Sequence, residues 1–196
     1  MKTFINGFIA ISAMMLPNLA TASVITPTSY SYTNGTPAGE SAYLDPSNTK
    51  LTDGLTGIAS PVDGTWVGWQ FSDGGAAQIT FNFASSVTIG NVDLNLLRSD
   101  IGNVQLPESV TINADTFAVS DFPTDNTSGF VNFAGSWTGD SLVVTLNHPG
   151  QTHWVFINEA VFSPPTDAPE PATFALAGMA LAGLILARKR FTKLVQ

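Results

Sequence analysis

The sequence contains no cysteine and has very few basic residues between its two ends. Without cysteine there are no disulfides, so a folded domain must be stabilised by a packed core or by bound metal. Residues 23–167 carry 14 acidic side chains and only two basic ones, Lys50 and Arg98, which gives a formal net charge of −12. Such a domain is repelled by nucleic acid and by anionic membranes, so we exclude a nucleic-acid partner. The same negative charge favours the binding of divalent cations.

Motifs of the common catalytic sites are also missing. The sequence has no G-x-S-x-G, no H-E-x-x-H and no cysteine nucleophile. His148 and His153 are the two histidines, and a zinc site would need a further ligand that nothing in the sequence marks. We therefore interpret both as surface or partly buried imidazoles. A non-catalytic protein is favoured over a small glycan-active enzyme.

Apolar residues in the middle of the chain recur with a period of two. Ile79–Phe83, Val92–Leu96 and Leu142–Leu146 each alternate with polar neighbours, which is typical of strands with one buried face. Gly- and Pro-containing turns separate these runs, and no helical period is evident. We predict an all-β fold, an antiparallel β-sandwich of jelly-roll type. The predicted strands lie near 28–33, 66–71, 76–83, 88–97, 107–114, 116–119, 129–134, 141–147 and 153–162.

Both ends of the chain have the composition of export signals. Lys2, the apolar run Phe8–Leu16 and the cleavage-site pattern Ala20-Thr21-Ala22 predict a signal peptide over residues 1–22. We assign residues 23–165 to the ectodomain. Residues 166–196 then form an anchor segment, with one transmembrane helix over about 172–191 that approaches the ~30 Å hydrocarbon core.

The order of features in this anchor segment is distinctive. The tripeptide Pro169, Glu170, Pro171 precedes the uncharged run Thr173–Ala187, and the basic cluster Arg188, Lys189, Arg190 follows it. The prolines disfavour helix and keep the tripeptide extended. The basic cluster acts as a membrane stop and marks the cytoplasmic side.

This arrangement, over about residues 168–191, resembles the PEP-CTERM sorting signal of exosortase substrates. The resemblance implies that the tail first holds the exported protein in the inner membrane. An exosortase, a membrane-embedded transpeptidase-like enzyme, then processes it near the PEP motif and passes the ectodomain to the cell surface or extracellular matrix. The alternative is a plain single-span anchor.

A second resemblance covers roughly residues 28–163. The loop Lys50–Gly54, then Trp66, then the strand Pro107–Ile112, and a last strand with Glu159 between apolar residues occur in this order. The series is similar to discoidin-type or galactose-binding-like jelly rolls, which include carbohydrate-binding modules.

The second resemblance implies a structural calcium site that joins the early loop to the last strand. Calcium prefers six to eight oxygen ligands of mixed type. The implied ligands are the carboxylates of Asp53 and Glu159, the backbone carbonyls near Lys50 and Ala160, and the hydroxyl of Thr65. In the alternative interpretation, Asp53 caps a turn and Glu159 is an edge-strand charge.

In this family, ligands bind on loops at one end of the sandwich, and three loops are candidates here: 34–48, 97–105 and 120–128. They contain the two candidate ligand-binding residues, Tyr43 and Arg98. The Arg98 guanidinium is suited to a hydroxyl pair or a carboxylate of a ligand, or to an ion pair with Asp93 or Asp100. The leading hypothesis is a carbohydrate- or exopolysaccharide-associated binding module. The alternative is a structural or adhesive surface protein that binds other proteins.

Overall fold

The computed structural model describes residues 24–34, 43–71, 75–148 and 152–165. In chain order, this part forms strands and one short 3-10 helix: β1 (Ser29–Asn34), the 3-10 helix Lys50–Thr52, β2 (Val67–Phe71), β3 (Gly75–Arg98), β4 (Ser109–Ile112), β5 (Asp115–Ala118), β6 (Thr127–His148) and β7 (His153–Ser163). All pairings between these strands are antiparallel. The prediction of an all-β antiparallel fold is confirmed.

Two predicted segments lie outside the described residues, namely the signal peptide 1–22 and the anchor segment 166–196. Within the described ranges, no helix has the length and apolar character needed to cross a bilayer.

Two long strands each contribute to two layers. The first half of β3, up to Asn82, pairs with β1 and with the second half of β6, which also pairs with β4. From Val87 onward, β3 pairs with the first half of β6 and with β7. Register shifts fall between Asn82 and Val87 and between Ile89 and Asn91. Irregularities of this kind bend a strand, which lets one strand serve both layers.

Residues from both halves meet in one buried core. Ile79 and Val144 come from the first layer, Leu94 and Ile157 come from the second, and all four are buried in the same cluster. Aromatic rings add to the core: the ring centroids of Phe81 and Phe162 lie 4.8 Å apart in an edge-to-face arrangement, which is a favourable geometry. The period-two alternation therefore corresponds to the inward faces of two packed layers.

A smaller buried cluster covers the outer face of the second layer. It consists of Trp66, Leu97, Val104 and Phe156, with Tyr43, Ala59 and Trp154 packed against it. Leu97 and Phe156 are outward-facing residues of β3 and β7, and they are buried because segments 43–66 and 99–105 cover them. This second cluster holds the 43–66 segment against β7.

The beginning and the end of the described chain lie together beside the interior of β3, near Gly90 and Val92. The Ile25 amide donates to the Phe162 carbonyl at 2.8 Å. A Cβ at Gly90 would lie 2.2 Å from Pro165 Cα, so Pro165 packs directly on the β3 backbone. Arg98 is the last residue of this strand, about 23 Å from Asn91 at 3.3 Å per residue.

Candidate functional site

A buried carboxylate holds the loop that precedes the 3-10 helix. Asp45 is 3% exposed and accepts hydrogen bonds from the hydroxyls of Tyr30 and Tyr32 on β1. Its other oxygen accepts from the Thr49 amide at 3.1 Å. The Tyr30 hydroxyl in turn accepts from the Leu51 amide at 3.0 Å. These bonds tie the 3-10 helix to β1 and so position Asp53, which follows the helix.

Asp53 and Glu159 are close together although they are far apart in the sequence. The Gly54 amide donates to Glu159 Oε2 at 3.0 Å, and Asp53 Oδ1 accepts from the Leu55 amide at 2.9 Å. Glu159 is only 6% exposed. Burial and the negative charge of Asp53 raise the pKa of Glu159 to about 7, although the hydrogen bond from Gly54 opposes this shift. Two neighbouring carboxylates, one of them buried, favour a bound cation.

Buried polar atoms without hydrogen-bond partners lie along the same stretch of β7. Asn158 is fully buried, and neither atom of its amide has a partner. Asn95 pairs in register with Glu159, and its Oδ1 is buried and also without a partner. Thr65 Oγ1 belongs to the same group of unpartnered buried atoms. Leaving such atoms unpaired is costly, so each calls for an explanation.

Gly57 brings the Thr65 hydroxyl and the Asn158 amide together. A Cβ at Gly57 would lie 2.1 Å from Thr65 Oγ1 and 3.0 Å from Asn158 Nδ2. The absence of a side chain therefore lets these two groups, together with Asp63 Oδ2 at 2.8 Å from the same point, approach the loop backbone closely. We refer to Asp53, Thr65, Asn95, Asn158 and Glu159 as the Glu159 site.

The donor set of the Glu159 site fits a hard cation such as calcium. It offers two carboxylates and three neutral side-chain oxygens, which is the mixture that calcium prefers. Among the described residues, no group of three or more His, Cys, Asp or Glu side chains converges on one point. A metal here would therefore depend on neutral oxygens as well as on carboxylates.

Of the other implied calcium ligands, Lys50 begins the 3-10 helix and Ala160 is buried in β7 next to Glu159. Burial alone would raise the pKa of Asp63, but hydrogen bonds from the backbone amides of Thr65 and Ile58, and the charge of Lys50, hold this pKa below its ordinary value. Asn95 and Asn158 were missed from the sequence. In the alternation pattern, Asn95 occupies an outward position that is normally exposed.

A second candidate site is a cleft of about 220 Å³ at the end of β3. Its lining consists of Arg98, Asp100, Gln105, Leu106, Pro107, Glu108, Val119 and Asp121, and we call it the Arg98 cleft. It lies where two of the three predicted ligand loops, 97–105 and 120–128, meet. Ser99 Oγ donates to Asn126 Oδ1 at 2.8 Å, and the Asp100 amide donates to Asp125 Oδ1 at 2.6 Å.

Arg98 is held by both loops. Its Nη1 lies 2.9 Å from Asp121 Oδ2 and donates to the Phe122 carbonyl, while its Nε lies 3.4 Å from Asp100 Oδ1. The predicted partner Asp100 is thus present. The other predicted partner, Asp93, instead accepts a hydrogen bond from Asn132. The Tyr43 ring instead packs against Trp154 and Phe156 in the smaller cluster.

Comparison with known protein families identifies a motif in the anchor segment. The family model described as the PEP-CTERM protein-sorting motif matches residues 167–190. The chain carries a PEP-CTERM sorting signal. The match includes the PEP tripeptide, the apolar run and the basic cluster, so the resemblance inferred from their order is confirmed. None of the curated proteins has detectable similarity to the chain.

Solved structures with a similar fold include several carbohydrate-binding modules. A chitosan-binding module of a Paenibacillus sp. IK-5 chitosanase/glucanase is 16% identical, with a TM-score of 0.43, covering 73% of this chain and 99% of that one. The family 32 module of AlyQ, in complex with 4,5-unsaturated mannuronic acid, is 15% identical, with a TM-score of 0.43 and coverages of 71% and 97%. The family 32 module of C. perfringens NanJ, in complex with galactose, is 14% identical, with a TM-score of 0.40 and coverages of 68% and 91%. With TM-scores this low, these likenesses carry no argument about ligands.

Proposed function

We propose that the protein is exported, sorted by an exosortase-type system and delivered to the cell surface or extracellular matrix as a non-catalytic carbohydrate-binding module. The observation that carries the sorting step is the match of residues 167–190 to the PEP-CTERM motif. The described chain ends at Pro165, only four residues before Pro169. Processing near the motif would therefore release the ectodomain intact.

The Arg98 cleft is the proposed ligand site. The end of the described chain packs on Gly90, in the interior of β3, and the cleft is at the Arg98 end of this strand. A tether that starts at residue 166 would thus be attached away from the cleft and leave it open. Polysaccharides outside the cell could then reach it.

The charges of the cleft narrow the ligand class. Arg98 is already paired with Asp100 and Asp121, and Glu108 adds a third carboxylate to the lining. A uronic acid would therefore meet an excess of negative charge. Sugar hydroxyls, by contrast, can donate to these carboxylates and accept from the guanidinium. We infer that the ligand is a neutral or amino sugar polymer.

Intact mass tests the sorting step. In the native host, the wild-type protein should be recovered outside the inner membrane without residues 173–196. A chain with alanine at Pro169, Glu170 and Pro171 should stay in the membrane with its tail, whereas the control Thr166→Ala should behave as wild type. If the wild-type protein kept its tail in every fraction, the segment would be a plain membrane anchor and not a processed sorting signal.

Retention on immobilised polysaccharides tests the cleft. The protein should be retarded on neutral or amino-sugar polymers more than on polyuronates. Arg98→Gln should abolish this retardation, since the fork of donors is lost. The control Thr88→Ala, an exposed change in the interior of β3 and away from the cleft, should leave it unchanged. Preference for polyuronates, or normal binding by a folded Arg98→Gln variant, would refute the assignment of the cleft.

We also propose that the Glu159 site binds calcium as a structural ion. Support comes from the carboxylate pair and the unpartnered oxygens of Thr65, Asn95 and Asn158. A bound cation would offset the charge of buried Glu159 and satisfy these oxygens. It would also join the loop after the 3-10 helix to the last strand.

One observation favours the alternative of a protein-binding adhesive module. The 53–65 loop exposes Leu55, Ile58 and Val62, and Ile101 on the neighbouring loop is 90% exposed. Pro61 lies next to Gly102, so the two loops are adjacent. Exposed apolar groups of this kind are common at protein interfaces. Normal sugar retention by a variant with serine at Ile58, Val62 and Ile101 would separate this surface from the cleft.

A further inference from the structure

The last strand is followed by two prolines that pack on a glycine of β3. Ser163, the last residue of β7, pairs with Asn91, and Pro164 and Pro165 come directly after it. A Cβ at Gly90 would lie 2.2 Å from Pro165 Cα and 2.8 Å from the Pro164 carbonyl carbon. Both are backbone atoms, so no side-chain rotation would relieve the clash. The two prolines therefore occupy space that is open only because residue 90 is glycine.

The segment just before the prolines is fixed firmly to the ectodomain. Phe162 is fully buried, and its ring centroid lies 4.8 Å from that of Phe81. Its carbonyl accepts a hydrogen bond from the Ile25 amide at 2.8 Å. Proline has no backbone N–H and cannot continue the strand pairing, so beyond β7 the packing on Gly90 takes over. The chain is thus attached to the domain as far as Pro165.

This attachment limits the distance between the sorting motif and the folded domain. Pro169 is four residues after Pro165, and four residues span at most about 14 Å when fully extended. A compact domain of this length is roughly 40 Å across. An enzyme embedded in the membrane therefore meets the motif directly beside a folded body that is much wider than the stretch between them.

We propose that Gly90 is a positioning residue for the exosortase reaction. Its contact with Pro165 keeps the sorting motif close to the ectodomain, so that the domain blocks part of the enzyme's approach and slows the removal of the tail. The fold thereby sets how long the exported protein stays anchored. This inference rests on the proposed sorting function and adds to it a dependence on the folded domain.

Lengthening the chain outside the fold tests this role. Insertion of Gly-Ser-Gly-Ser between Pro165 and Thr166 lies outside the matched motif at 167–190 and moves the motif away from the domain. In the native host, pulse labelling and intact mass should show loss of residues 173–196 at least about twofold faster than in the wild type, because the orientational constraint on the encounter is relaxed. The Tm should not change. A rate equal to that of the wild type, or slower, would overturn the proposal.

Substitution of the glycine provides a second readout. Gly90→Val displaces the two prolines and should speed tail removal as the insertion does, and the two changes combined should add little to either alone. The control is Gly129→Ala, in which the new Cβ would lie 3.7 Å from the Phe122 ring, an ordinary contact; its rate should match that of the wild type. If Gly90→Val does not fold, the insertion variant decides alone.

The outcomes also distinguish this inference from the proposed sorting function. Tail removal at equal rates in the wild type and the insertion variant would refute the role of Gly90 and leave sorting intact. Retention of the tail by both proteins would refute sorting, and the role of Gly90 with it.

Discussion

Replacement of Glu159 by glutamine distinguishes between two roles of this carboxylate, calcium binding and burial without a ligand. In the calcium-free protein, burial and Asp53 raise the pKa of Glu159 from 4.5 to about 7. The folded chain thus holds a proton on this carboxyl that the unfolded chain has already released. Folding stability is therefore highest below pH ~4.5 and falls as the pH rises through about 7.

The size of this loss follows from the pKa shift. A shift of this size is worth about 3 kcal/mol in full, and partial solvent screening reduces the figure to about 2 kcal/mol. Glu159→Gln removes the charge and keeps the shape. Without calcium at pH 8, the variant should be more stable than the wild type by about 2 kcal/mol, or roughly 4–8 °C in Tm. At pH 4.5 and below, the two proteins should unfold together.

Calcium should reverse this order. At a concentration of 100 times its Kd, a ligand that binds only the folded state adds about 2.7 kcal/mol to the stability of the wild type. Glu159→Gln should gain little, because it lacks a charged ligand. The general effect of calcium on an acidic surface is measured with the control Asp140→Asn.

These stability differences are measured by thermal unfolding of the full chain in detergent at pH 4.5 and pH 8, with tryptophan fluorescence as the signal. Equal stabilisation of wild type and variant by calcium would refute the calcium proposal. A variant that is less stable than the wild type at pH 8 without calcium would refute the argument from burial.

Two further predictions concern the scaffold. Asp45→Asn removes the charged acceptor of Tyr30 and Tyr32 and should lower the free energy of unfolding by about 2–4 kcal/mol in a denaturant titration. The control Ser47→Ala removes a 3.4 Å contact with Asp45 and an exposed hydrogen bond with Thr49 and should cost little; equal losses would contradict this role of Asp45. Trp137→Phe loses the 2.8 Å bond from Nε1 to Asp115 and should cost about 1–2 kcal/mol. A loss of the same size in the Asp115→Ala background, where the acceptor is already absent, would show that the bond contributes nothing.

Much of the strand layout was predictable because alternation reports directly which face of a strand is buried. The main difference concerns strand ends. The predicted strands 76–83 and 88–97 are parts of one strand, β3, and 129–134 and 141–147 are both parts of β6. The apolar pattern breaks at Ala84–Ser86, but the backbone continues through the register shift there. Periodicity records side-chain burial, and backbone pairing can continue where burial stops.

The candidate sites were predictable only in part. Asp53 and Glu159 were named through a resemblance, and the Gly54–Glu159 bond joins residues 105 positions apart. Asn95 alternates with Leu94 and Leu96 as an outward residue should, yet it is buried beside Glu159. For Arg98, the nearby partner Asp100 was foreseen, but Asp121 comes from a separate loop.

The sequence by itself determined the sorting signal and the all-β class. Sorting signals and alternation are local patterns, and a local pattern keeps its meaning whatever the rest of the chain does. Only the tertiary structure decided which polar groups are buried and which meet, namely in the Glu159 site and the Arg98 cleft. Each of these joins segments that are distant in the chain or separated by a turn, and their proximity arises from the packing of two layers and their covering loops.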